Sequence, residues 1–379
     1  MIRNLTFLIM VTIALGLSAQ RPEFNGDGLD DTDCQYLADT AASHIAAHMK
    51  VRKATTRVLP ITKYLTNSKH TWTDGVYTFY TDYDDEGYIS LGGLPFSADL
   101  DLFDFIGPLS VKKGKILVED KPQARVNVEK IGDFVMLVER DQAGIPVRAF
   151  HSVSEEYERN YYMVLLFNYM LAGHYTAPDS SDVIFGPKMP FYSGYKYAKD
   201  PGICSFFYDF NSGDLLISYG WKRVSRGNPD LKKDERMPGE GGAGALMNPM
   251  VWKIVPTVAG LDVKIIHDEP FVDHNPRIGG YGDEVSLTYV ESPFKDMPGH
   301  WAFASVIPLT HTLLKMFPKE VLTLMRGEIY ARHGDTFKDP DTQRYFDAQP
   351  WYKKSGQAVK LTDVERYNYQ LIKQVEQSK

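Results

Sequence analysis

Two stretches of this chain carry side chains whose types and spacing could do chemistry as a group. Near the amino terminus, Glu23, Asn25, Asp27 and Asp31 set oxygen-bearing side chains around Gly28. Calcium is held by about six to eight oxygens, and this spacing matches positions one, three, five and nine of a twelve-residue calcium loop with glycine at six. The loop departs from that pattern at position one, which is Glu23 instead of Asp, and at position twelve, where Cys34 replaces a bidentate Glu. Calcium is therefore a candidate cofactor, beside the alternative of an acidic leader with an Asn25-Gly26 turn. Near the carboxyl end, Tyr330, Arg332, His333, Trp351 and Tyr352 form the second group. Tyr330 and His333, three apart, share a helix face, and Arg332 points elsewhere. A guanidinium can grip a carboxylate through two parallel hydrogen bonds, and aromatic rings can lie against a ligand surface. As a patch these five are candidate ligand-binding residues. The alternative is internal use, with Arg332 paired to Asp339 or Glu365, His333 capping its helix and the rings filling a small core.

Other clusters carry less. His44 and His48 lie one helical turn apart, a spacing that offers two imidazoles to zinc, but no third ligand lies nearby in sequence. His267-Asp268-Glu269 with Asp273-His274 is a further run of ligand-type residues, of the kind that strand-end loops often hold. Asp82, Asp84, Asp85, Glu86, Asp99, Asp101 and Asp104 supply acids, yet nothing distinguishes them from solvated turns. No Gly-x-Ser-x-Gly elbow occurs, and the glycine-rich run from Gly239 to Gly244 lacks the Gly-Lys-Ser/Thr ending of a phosphate loop. Catalysis has no positive support among these residues.

The elements that must position such groups are legible from periodicity. Thr32–Met49 reads as a helix with one apolar face, and from Thr71 to Val153 short β segments follow, punctuated by Gly, Asp and Pro. A second helix is expected from a capping box at Ser152 and Glu155 to a stop at Gly173, with an all-apolar middle, Tyr161 to Phe167. Strand-like runs then return, among them Val183–Phe185, Cys204–Phe210, Leu215–Trp221, Val251–Val255, Leu261–Ile266, Val285–Val290 and Trp301–Ile307. Many short strands at this spacing predict an antiparallel sandwich or small barrel. The last segment is helical: Pro318 suits a first turn, Asp339-Pro340 starts a short helix, and Thr362 with Glu365 forms a capping box. No internal repeat is evident.

Arg326-Gly327-Glu328-Ile329-Tyr330-Ala331-Arg332-His333-Gly334, followed by Phe337, Tyr345-Phe346, Trp351-Tyr352, Glu365 and Asn368, resembles the YARHG domain, a small module named for its five-letter signature. The resemblance covers residues 316–379 and implies an extracellular domain of bacterial envelope proteins without an assigned activity. The stretch Leu171 to Thr176 followed by Val183 to Gly186 is similar to lipocalin-like β domains of secreted bacterial proteins.

Compartment and charge narrow the field. Arg3, the apolar Leu5 to Leu17 and Leu17-Ser18-Ala19 read as a secretory signal over residues 1–19. The apolar part is shorter than the roughly 20 residues that cross a bilayer, and no later segment is long enough. Without Arg3 the 42 basic residues fall to 41 against 49 acidic ones, a net charge of −8 that disfavours nucleic acid as a partner. The expectation is an α+β, multidomain protein: a signal at 1–19, an α+β region at 20–152, an antiparallel β domain at 153–315 and a helical module at 316–379. Its expected place is the periplasm, the cell surface or the medium, and its expected work is binding an envelope polymer or another exported protein. A hydrolase acting on an envelope polymer and an assembly partner are the alternatives.

Overall fold

The computed structural model describes residues 56–60, 64, 70–74, 78–83, 88–92, 109–112, 115–118, 125–154, 170–171, 173–178, 180, 182–185, 191–194, 202–209, 214–220, 250–267, 284–291 and 297–379. The calcium-loop residues Glu23, Asn25, Asp27 and Asp31, the Thr32–Met49 helix, the leader and the apolar stretch Tyr161 to Phe167 lie outside the described residues.

The chain is α+β, as expected, with two antiparallel β units followed by helices. The first unit comprises β1 (Arg57–Val58), β2 (His70–Thr73), β3 (Thr78–Tyr83), β4 (Tyr88–Gly92), β5 (Leu109–Lys112), β6 (Lys115–Val118), β7 (Arg125–Ile131), β8 (Phe134–Arg140) and β9 (Pro146–Ser154). They form one nine-stranded sheet in the order β1-β7-β8-β9-β2-β3-β4-β5-β6. The second unit comprises β10 (Gly173–Thr176), β11 (Asp182–Phe185), β12 (Phe191–Gly194), β13 (Gly202–Asp209), β14 (Asp214–Gly220), β15 (Met250–Pro256), β16 (Gly260–His267) and β17 (Glu284–Glu291), which close into a barrel in sequence order. Strand alternation explains its wall. Tyr175, Trp252, Ile254, Leu261, Val263 and Leu287 are buried, while Asp262, Lys264, Glu284, Ser286 and Thr288 between them are exposed. A period of two places every second side chain on the inner face.

A 3₁₀ turn at Ala302–Ser305 leads into α1 (His311–Lys315), α2 (Lys319–Ala331), α3 (Pro340–Asp347) and α4 (Asp363–Gln377). Local chemistry starts these helices. Asp339 accepts from Thr342 N at 2.9 Å with Pro340 in the first turn of α3, and the Thr362–Glu365 capping box is formed at α4. Ile131, Met136, Val138 and Ala149 of the first unit, Tyr175, Trp252, Leu261 and Leu287 of the barrel, and Trp301, Leu313, Met325 and Leu371 of the helical part belong to one buried cluster. The helices thus share one buried core with both β units.

Two local expectations are corrected. Ser152 does not cap a helix: it lies in β9 opposite Trp72, so ladder hydrogen bonding wins over the capping pattern. Trp301–Ile307 is not a strand but contains the 3₁₀ turn. A short run whose one polar residue is Ser305 has no period to read, and tertiary partners decide its backbone.

Candidate functional site

Helix α2 brings Glu328 and Arg332 to one face, one turn apart, and both are enclosed. Glu328 is a hub. Its carboxylate accepts from the backbone N–H of Trp301 at 2.7 Å and of His300 at 2.9 Å, and it pairs with the Arg332 guanidinium. Arg332 also donates to Ser305 Oγ at 2.7 Å and to the Pro298 carbonyl at 3.1 Å. Burial pushes the Glu328 carboxyl up, against the opposing pull of Arg332 and the two backbone donors. Gly299, at φ +114°, passes so close that a Cβ there would meet Glu328 Oε1 at 2.5 Å, so the turn needs glycine on two counts.

His333 lies beyond the end of α2. Its Nε2 stands 3.0 Å from both oxygens of Glu365, and Glu365 in turn accepts from Thr362 N at 2.8 Å as the acidic half of the α4 capping box. The Glu365 hydrogen bond raises the His333 imidazole above its ordinary range. For Glu365, burial works upward, but the hydrogen bonds from His333 and Thr362 hold the carboxyl below its usual value. The pair therefore ties the end of one helix to the start of another. Gly334, at φ +75°, follows, and a Cβ there would meet the Lys353 carbonyl at 2.6 Å.

The aromatic residues fall into two groups. Tyr330 meets Tyr369 edge-on at 5.0 Å, and Arg326 lies over the Tyr369 ring while bonding Glu376 at 2.7 Å. Phe337, Trp351 and Tyr352 surround the buried Phe346 at 4.8, 6.2 and 5.9 Å. The Tyr352 hydroxyl donates to the Asp335 carbonyl, which fixes its ring. Gly327 allows this group to approach α2, since a Cβ there would meet Phe346 Cε2 at 2.9 Å.

The five sequence-selected residues Tyr330, Arg332, His333, Trp351 and Tyr352 thus lie in one helical module but not on one patch. Arg332 turns towards residues 298–305, His333 towards α4, and Trp351 and Tyr352 gather on α3. Sequence reasoning did not single out Glu328 or Asn368 for a role in the site. The four-residue spacing of Glu328 and Arg332 was a legible signal. Asn368 gave none: its amide accepts from Leu309 N at 2.7 Å and donates to the Ala304 and Ile307 carbonyls, each at 2.7 Å. No group of three or more His, Cys, Asp or Glu placed to hold a metal occurs among the described residues.

The family model of the YARHG domain matches residues 306–377, so the chain carries a YARHG domain that begins at the 3₁₀ turn's end and takes in all four helices. No curated protein and no solved structure matches the chain. The lipocalin likeness of the central region finds no support in these comparisons. Among the described residues no helix is long and apolar enough to cross a membrane.

Proposed function

From a YARHG domain at residues 306–377 as the premise, we propose that this is an exported bacterial protein that binds a component of the cell envelope without catalysis. The observation that carries the reading is the internal use of the signature's charges. Arg332 is held by Glu328, Ser305 and the Pro298 carbonyl, and His333 by Glu365. In this reading Arg332 and His333 shape the module, while the half-buried rings of Trp351 and Tyr352, beside exposed Lys353 and Lys354, supply its ligand contact. Amphipathic rings next to cationic side chains suit a saccharide or an anionic polymer surface. The internal use of the Glu328 carboxylate supports binding over chemistry. Glu328 is buried and spends its carboxylate on Trp301 N, His300 N and Arg332, whereas a catalytic acid or base must reach substrate.

Co-sedimentation of the protein with insoluble peptidoglycan and with outer-envelope fractions tests this. Retention of the unaltered protein, and its loss in Trp351→Ala with a melting temperature within a few degrees of the parent, is the expected result. Retention of neither protein by any fraction overturns the reading.

A further inference from the structure

The two β units share one topology. In the barrel, β10 to β17 pair in sequence order, and the first and last strands close the circle with Tyr175 opposite Tyr289. In the first unit, β2 to β9 follow the same up-and-down course, and again the first and last strands pair, Thr73 lying opposite His151. The difference is one interval. No ladder joins β6 to β7 among the described residues, and β1 lies along β7 instead. Each unit therefore has a seam where its eighth strand meets its first.

One short segment touches both seams. On the barrel, the Tyr289 hydroxyl donates to the Gly299 carbonyl at 2.9 Å, and the His300 ring stacks on Tyr289 at 3.9 Å with its edge towards Tyr175. On the first unit, the Pro308 carbonyl sits 2.7 Å from His151 Nε2, Thr310 Oγ1 donates to the carbonyl of Asp74, and Thr312 Oγ1 donates to the Asp74 carboxylate at 2.6 Å. Asp74 directly follows β2. Thr73, Asp74, His151, Tyr175 and Thr310 are all buried, so the His151–Pro308 and Thr310–Asp74 contacts are interior ones.

Segment 297–310 contains little regular structure, and helix side chains satisfy its backbone. Glu328 takes the N–H groups of His300 and Trp301, Arg332 takes the Pro298 carbonyl, Asn368 takes groups of Ala304, Ile307 and Leu309, and the Tyr367 hydroxyl donates to the Leu309 carbonyl at 3.1 Å. Buried backbone groups without such partners cost free energy, so these side chains fix the segment's course.

We propose that residues 297–312 form a bracket that docks on the first-to-last strand seam of both β units, and that Arg332 of the YARHG signature, with Glu328 and Asn368, shapes the bracket. The occupant of both seams is this segment of the chain itself. The module joins two like units at like places, and their mutual placement depends on Glu328 and Arg332.

Hydrogen exchange on the full chain tests the inference and involves no ligand, so its failure is separate from failure of the binding reading. Thr312→Val removes only the hydroxyl on Asp74, and Tyr289→Phe only the one on Gly299. Thr312→Val should speed exchange about tenfold at β2 and β9 and leave β10 and β17 unchanged. Tyr289→Phe should do the reverse. Glu328→Gln should loosen both seams together, while the β7–β8 and β13–β14 hairpins keep their protection. Equal acceleration across every strand, or acceleration confined to the helices, overturns the proposal. Should Glu328→Gln fail to fold, the two seam variants still decide: a response of either seam to the other's variant overturns the two-seam bracket.

Discussion

Arg332 neutralises a carboxylate that water cannot reach, because Glu328 is about 1% exposed. Arg332→Ala leaves that buried carboxylate without its counter-charge, and removing one member of a buried pair costs about 3–5 kcal/mol. Urea denaturation should show a loss of that size, with part recovered when Glu328 is also replaced by Leu. His333 makes a second prediction, in pH. Its imidazole is raised from 6.5, so its contribution is complete below 6.5 and is lost as pH rises through the folded value. His300 and His311 are lowered by burial, to about 3 and about 4, so their neutral forms resist protonation and stability falls as pH drops below 6.5. Stability measured by urea midpoint should decline on both sides of neutrality. His333→Gln should remove the alkaline-side loss assigned to this residue and leave the decline that runs from pH 6.5 down towards the folded values of His311 and His300, about 4 and about 3.

Among the elements, α4 carries a reciprocal cap in which Thr362 Oγ1 accepts from Glu365 N at 3.2 Å and Glu365 accepts from Thr362 N at 2.8 Å. Thr362→Ala should cost about 1 kcal/mol by thermal melt, whereas Thr362→Ser should cost little. Such caps were legible because both partners lie within one turn. The strands were legible for a similar reason: the expected Leu261–Ile266 and Val285–Val290 lie within the observed Gly260–His267 and Glu284–Glu291. The strands β1, β2 and β5 were not read as segments of their own. Arg57–Val58 and His70–Thr73 are too short to show alternation, and pairing with β7, β3 and β9 makes them strands. Trp301–Ile307 was misread because its apolar run fits strand and helix alike.

For the whole molecule, a chain ended at residue 305 would strip the helices from the shared core. Val138 and Ala149 of the first unit would lose the cover of Leu313, Leu371 and Ile372, members of the same buried cluster. Such apolar exposure should make the truncated chain aggregate, or melt well below the full chain in calorimetry. Two separately stable β units with an unchanged first transition would contradict the shared core.

By itself, the sequence determined the α+β class, the antiparallel strands, the helix caps and the presence of a YARHG module. Each of these rests on periodicity or on partners a few residues apart. Tertiary structure decided the rest. His333 meets Glu365 32 residues away, Asn368 meets Leu309 59 residues away, and Thr312 meets Asp74 238 residues away. The common course of the two β units was likewise invisible in the chain, because a topology is defined by which strands pair, and strands of unlike side chains can share it. Seams form only when a first strand meets a last one, a long-range event that local pattern does not encode.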